Sequence, residues 1–264
     1  MTENQQSVPI IRTVHHFACS GGTLISKCIA SMPNVLFLSE LDPLSPLSPI
    51  QERYENPEFS PSDPIRLLKH NIQRVDDDVL VKMFKASIRE LSHYCETLSY
   101  NLVLRDHTHS HYCCGERAKS RPFFLNMFLK DYKAKSIVTV RHPLDSYISL
   151  CDNGWLHFNP KTLDEYCLRY HDFLNDYKGI DIFKYEELTK NPVKIIEEIC
   201  NILSLDFDPD FKNYIAAIKL TGDSGRSSNF IMARERKKAG EMLQREVDIS
   251  KSYRSLCYRL KYDI

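Results

Sequence analysis

Glycine is scarce in this chain, with eight in 264 residues, and tryptophan occurs once. Without glycine-, serine- or proline-rich connectors or charge blocks, nothing divides the chain, and its length suits one large α/β domain spanning 1–264. An excess of one charge is absent too: 35 Lys and Arg balance 35 Asp and Glu. That balance excludes a global field that recruits nucleic acid or an anionic membrane, so any anion must be held by local arrangement. No apolar run is long enough to cross a bilayer, and Met1 to Pro9 is polar, without the apolar core of an export signal. A cytoplasmic location is expected. The nine cysteines are odd in number and lack Cys-x-x-Cys spacing, which fits reduced thiols rather than a disulfide framework. Internal repeats are absent; a flexible N-terminus is expected over 1–11 and a proline-rich, irregular excursion over 41–64.

What is present is ordinary soluble composition, 42% hydrophobic and 27% charged, enough for a substantial core. Short apolar strands alternate with helical patterns, the signature of a parallel sheet covered by helices. Strands are predicted at about Thr13 to Cys19, Val35 to Leu38, Leu102 to Arg105, Ser136 to Arg141 and Ile180 to Tyr185. A long helix is predicted from Asp76 to Ser99, with Asp76, Asp77 and Asp78 suited to its N-terminal turn.

Between the first strand and the next helix lies Cys19-Ser20-Gly21-Gly22-Thr23-Leu24. A glycine pair there lets backbone N–H groups turn toward an anion at a helix N-terminus, a phosphate or sulfate cradle. The same turn also serves as plain geometry. The nucleotide-hydrolase pattern, Gly, four residues, then Gly-Lys-Ser/Thr, is missing, because Lys27 falls inside the helix. In open parallel sheets ligands sit beyond the C-terminal strand ends. Those ends supply Ser39-Glu40-Leu41-Asp42, then Asp106-His107-Thr108-His109, then Arg141-His142-Pro143. Arg141 and Ser149 are placed to converge on one phosphate, or Arg141 to salt-bridge an acid.

Taken together, three separated segments resemble the sulfotransferases that use 3′-phosphoadenosine 5′-phosphosulfate, PAPS, in a bacterial-type cytosolic form. The loop 18–24 resembles the family's 5′-phosphosulfate loop. Val140 to Ser149 is similar to its 3′-phosphate motif, an Arg-Asp-Pro with a serine eight residues past the arginine. Ile182 to Leu188, with Pro192 and the helix to Leu203, is similar to its Arg-Tyr-Glu-Asp-Leu stretch. The resemblance implies a P-loop-type parallel sheet of about five strands flanked by helices. It also implies PAPS as donor, adenosine 3′,5′-bisphosphate as product, no required metal, and a small-molecule or carbohydrate acceptor. Donor-binding residues carried over are Ser20, Gly21, Gly22, Thr23, Leu24, Arg141 and Ser149, with Arg226 and Ser227 from a late Gly-containing loop in the 221–264 tail.

The family's loop cation is replaced here by Cys19. Lys27 and Arg105 are the candidates to supply the missing charge. For the base, His107 matches one branch of the family and Glu40 another, and the sequence leaves both open. A P-loop kinase and a nucleotide-binding protein that has lost transfer are the alternative functions. The run His107, His109, His111, Cys113, Cys114 fits either a polar loop or zinc, and the loop is the simpler reading. Phe123, Phe124, Phe128, Trp155 and Phe158 fit core packing or an acceptor pocket. Lys133, Lys135, Arg234, Arg236, Lys237 and Lys238 read as solvated faces, the last four also as an extension of the donor site.

Overall fold

The computed structural model describes residues 8–47, 62–69, 72–117, 122–221, 231–233 and 235–264. Five parallel strands form one sheet in the order β2-β3-β1-β4-β5: β1 Ile10–His16, β2 Val35–Leu41, β3 Asn101–Asp106, β4 Lys133–Val140 and β5 Asp181–Lys184. The helices are α1 Gly22–Ala30, α2 Pro64–Lys69, α3 Asp77–Thr97, α4 Thr108–Tyr112, α5 Pro143–Asp152, α6 Leu163–Asp176, α7 Tyr185–Lys190, α8 Pro192–Leu203, α9 Glu241–Ile249 and α10 Lys251–Leu260. All five predicted strands are present. The first begins and ends three residues early, because Phe17 and Ala18, read as strand from their apolarity, are buried in the turn instead.

The hydrophobic effect sorts the helices around the sheet. Val14 and Ile137 pack with Leu24, Ile25 and Ile29 of α1 and with Ile196, Ile199 and Leu203 of α8. Another cluster joins Phe17, Val138 and Val140 to Tyr147, Tyr166, Tyr170, Phe173 and Leu256. Phe17 stacks on Tyr170 with ring centroids 4.2 Å apart. Helix α3, which starts one residue after its predicted position, covers the β3 side through Ile88 and Cys95, against Leu102, Leu104 and Phe128. Asp77 and Asp78 occupy its first turn, where the helix dipole favours them. The predicted 41–64 excursion lies largely outside the described residues, as do Arg226, Ser227 and Arg234.

Strand order places the topological switch at β1, whose chain successors lie on opposite sides of it. The C-terminal ends of β1, β2, β3 and β4 therefore open onto a common crevice. One irregularity matters there. Between Leu38 and Leu41 the β2–β3 register slips by one residue, a bulge that holds Glu40 at φ +60°, in the left-handed region. Among the described residues no helix is long and apolar enough to cross a membrane. None of the nine cysteines is joined in a disulfide.

Candidate active site at the ends of the parallel strands

The β1–α1 turn is shaped by what its glycines lack. Gly21 precedes α1 at φ +85°, and a Cβ there would overlap the ring of Tyr185, at the start of α7. A Cβ on Gly22 would overlap the ring of His16, at the end of β1. The backbone thus passes close against two rings, and the first N–H groups of α1 have no intrahelical acceptor, which makes this helix end an anion site in kind. Ser20 is buried and its N–H bonds the Phe17 carbonyl at 3.1 Å, closing the turn. Leu24 contributes its side chain to the core and its N–H to the Gly21 carbonyl. Gly21→Ala combines a left-handed alanine with a ring clash and is expected to cost about 3 kcal/mol of stability, measured as a lowered urea midpoint.

On the β4 side, Arg141 lies over Tyr185, its guanidinium carbon 5.1 Å from the ring centroid. Its Nη1 donates to Ser149 Oγ at 3.4 Å, and its backbone N–H to the Tyr170 hydroxyl at 3.3 Å. Here the structure joins the two predicted phosphate-binding residues directly. His142 follows as the N-cap of α5, its Nδ1 accepting from Leu144 N–H. Glu186 accepts from the His142 N–H at 2.9 Å and from the Tyr262 hydroxyl at 2.7 Å, so the third motif clamps the second. Tyr185 touches both the glycine turn and Arg141, and in this way all three separated motifs meet.

Across the turn, on the β2–β3 side, sits an acid–base cluster. Arg105 is fully buried. It is ion-paired to Glu40, donates to Thr23 Oγ1 and Ser26 Oγ at 3.4 Å each, and reaches the Thr221 carbonyl at 3.3 Å. Glu40 Oε2 lies 3.1 Å from His107 Nε2. The two base candidates are therefore partners in one hydrogen-bonded chain, Arg105–Glu40–His107, rather than rivals. The bulge of β2 produces this: regular pairing would send residue 40 along the strand instead of turning it under Arg105. Lys27 sits half-buried on α1, one turn past Thr23 on the same helix face.

Cys19 holds the position of the absent loop cation at φ +60°. Its thiol is pushed up to about 11, chiefly by burial, while Asn153, Arg141 and Lys237 pull the other way. A neutral thiol at physiological pH neither neutralises an anion nor attacks one.

Strand β1, apolar around them, contains two residues whose role the sequence does not disclose, His15 and His16. Both are buried polar groups, and such groups in a central parallel strand call for partners, a signal available from composition. His15 Nδ1 meets Asp106 at 2.9 Å and its ring stacks on Tyr177. His16 Nε2 lies 4.0 Å from Glu40. Burial holds His16 well below the ordinary imidazole range, and the Arg105 charge adds to the effect. It is therefore neutral in the folded state, while the unfolded chain takes up a proton below about pH 6.5. Stability is accordingly full above that pH and falls on acidification, by up to about 1.4 kcal/mol per pH unit for this group. Urea titrations at pH 7.5 and 5.5 read the slope, which His16→Asn is expected to flatten.

The other candidates resolve more plainly. Among the described residues no group of three His, Cys, Asp or Glu side chains is disposed to hold a metal ion. His109 instead packs edge-on against Trp155 and His157, and Cys113 and Cys114 are buried. Phe124, Phe128 and Phe158 are core, and Phe123 and Trp155 are half-buried beside it. Arg236 approaches Asp145 and His142, and Lys237 bonds Asp152, close to the Arg141 end of the crevice.

No protein-family model matches the chain, and no curated protein matches it. Solved structures do. The sulfotransferase domain from the curacin biosynthetic pathway superposes with a TM-score of 0.56 at 16% identity, over 97% of this chain and 99% of that one. The sulfotransferase domain from the Synechococcus PCC 7002 olefin synthase gives 0.56 at 18% identity, over 100% and 98%. The chain is thus a single-sheet α/β protein with the P-loop-like fold of sulfotransferase domains, matched along essentially its whole length.

Proposed function

We propose that this protein transfers a sulfuryl group from PAPS to an acceptor hydroxyl. The observation that carries the reading is the meeting of three segments: the glycine turn at α1, the Arg141–Ser149 pair, and Tyr185 packed against both. The donor fits this place because two sets of anion donors flank it, the first N–H groups of α1 and the Arg141–Ser149 pair. When bound, PAPS supplies an activated sulfuryl group on a phosphate leaving group. Backbone N–H groups of 21–23 and the Thr23 hydroxyl would hold its 5′ end, and Arg141 with Ser149 its 3′-phosphate.

The chain's own residues divide the remaining work. An Arg105-paired carboxylate is a weak base, so we assign proton removal to His107 and orientation of its ring to Glu40, the logic of a base steadied by a second group. With His107 Nε2–H donating to Glu40 Oε2 at 3.1 Å, the lone pair lies on Nδ1, so Nδ1 would take the acceptor's proton and the imidazolium formed would keep its Nε2–H on Glu40. Arg105, one hydroxyl away from the turn through Thr23, supplies the positive charge that the missing loop cation would give. A reducing, cytoplasmic setting accords with nine cysteines outside any disulfide.

Calorimetric titration with adenosine 3′,5′-bisphosphate, without metal, tests the reading. Binding that requires the 3′-phosphate, with AMP and ATP much weaker, is expected; magnesium-dependent preference for ATP would overturn it in favour of a kinase. Cys19 motivates one further reading, a nucleotide-binding protein without transfer activity. If Arg105 supplies the charge, Cys19→Lys is expected to change sulfuryl transfer by less than about threefold, since the barrier effect of a displaced second cation is small. A gain of an order of magnitude in that assay would favour the binding-protein reading.

A further inference from the structure

His142, next in sequence to Arg141, is 3% exposed and has a partner at each ring nitrogen. Nδ1 lies 3.1 Å from Arg236 Nη2 and takes the Leu144 N–H at 3.2 Å, while Nε2 lies 2.9 Å from the Asp263 carbonyl oxygen. A guanidinium and a backbone N–H only donate, and a carbonyl only accepts. The neutral ring therefore carries its proton on Nε2 and its lone pair on Nδ1. It joins three pieces of chain that are distant in sequence: the N-terminus of α5, the 236–237 segment and the residues that follow α10.

That junction bears on the Arg141–Ser149 pair. Lys237 N–H donates to Asp145 Oδ1 at 3.1 Å, and Arg236 Nε lies 3.8 Å from Asp145 Oδ2. The Asp145 carbonyl takes the Ser149 hydroxyl proton at 2.8 Å, which leaves Ser149 Oγ to accept from Arg141. The charged and titratable groups around the imidazole are Arg236, Asp145 and Asp263, Glu186 of α7 on its backbone N–H, Tyr253 and Tyr262 with ring centroids 6.3 and 5.1 Å away, and Lys184 of β5 behind Tyr262. Burial holds the imidazole below its ordinary range; the Asp263 carbonyl acts against burial, and the Arg236 charge acts with it. A proton taken up in acid goes to Nδ1, where it meets two donors, the Leu144 N–H and the Arg236 guanidinium. The cap of α5 is then lost and Arg236 is repelled.

We propose that His142 is a positioning residue of the donor site: as the neutral Nε2–H tautomer it ties the 236–237 segment and the residues after α10 to the N-terminus of α5. Through α5 it keeps Ser149 against Arg141, and protonation of Nδ1 undoes the tie and weakens nucleotide binding. The imidazole itself does not touch the ligand. This inference rests on the sulfotransferase reading for the identity of the nucleotide.

Adenosine 3′,5′-bisphosphate is titrated calorimetrically at pH 7.5 and 5.0 into the full chain and into His142→Asn, whose side chain can still cap α5 but does not titrate. The second ionisation of a phosphate monoester, near about 6, alters the ligand equally for both proteins, so the ratio of their dissociation constants isolates His142. At pH 7.5 the variant is expected to bind about threefold or more weakly than the wild type, and His142→Ala, without the cap acceptor, more weakly still. At pH 5.0 the ratio of His142→Asn to wild type is expected to fall by about half or more, because the wild type has lost the tie as well. By reciprocity, nucleotide binding lowers the pKa of His142 in the wild type, read from its imidazole ¹⁵N shifts, and this holds as a test if the variants do not fold. A ratio that does not change with pH, a ratio that rises in acid, or a His142 pKa unmoved by nucleotide overturns the proposal and leaves the sulfotransferase reading in place. Absence of nucleotide binding by the wild type at pH 7.5 overturns both.

Discussion

Arg141→Ala is expected to weaken binding of adenosine 3′,5′-bisphosphate by about 100-fold, a loss of about 2.7 kcal/mol, as charge-assisted hydrogen bonds to a phosphate warrant. The side chain is positioned before any ligand arrives: Ser149 fixes one nitrogen and the Tyr185 ring supports the guanidinium plane. Little of its rotamer freedom then remains to be lost on binding, which is why its removal should be felt in full. Arg141→Lys keeps the charge but loses the planar fork, and should recover only part of the affinity. Affinity for a ligand without the 3′-phosphate should change little in either variant. If Arg141→Ala weakens AMP and the bisphosphate equally, the 3′-phosphate assignment is wrong.

His107→Asn is expected to slow sulfuryl transfer by a factor of about 10²–10⁴, the usual contribution of a positioned acid–base group, with nucleotide affinity unchanged. Glu40→Gln should cost less, about 10- to 100-fold, because it removes the support of the ring and leaves the ring itself. The double variant discriminates between partnership and independent duty. Because Glu40 and His107 stand 3.1 Å apart in one chain of bonds, their effects should not multiply, and His107→Asn/Glu40→Gln should be about as slow as His107→Asn alone. Multiplicative losses would mean that the two carboxylate and imidazole groups act on different protons. Glu40→Gln also leaves Arg105 buried without its anion, so its stability should be measured alongside its rate.

Much of this arrangement is legible in the sequence. Strand existence followed from apolar runs, and the crevice followed from the rule that ligands gather at C-terminal strand ends. The Arg141–Ser149 pairing was legible because both residues lie in one strand–turn–helix segment, where helical periodicity fixes their relative position. The relation of Glu40 to His107 was not, since it depends on a single-residue slip between β2 and β3 that no periodicity encodes. Phe17 and Ala18 look like an extension of β1 because hydrophobicity reports burial and not pairing. His15 and His16 are illegible for the converse reason: apolar residues surround them in sequence, whereas their partners Asp106 and Glu40 come from other strands.

Tyr185 sets the order in which the molecule can become competent during synthesis. The turn at Gly21 leaves the ribosome early, but the ring that packs on it belongs to the junction of the last strand and α7, more than half the chain later. A nascent chain halted before that junction carries the glycine turn without its wall and Arg141 without its platform. On the proposed function, nucleotide capture would come late, after the sheet has gained its fifth strand.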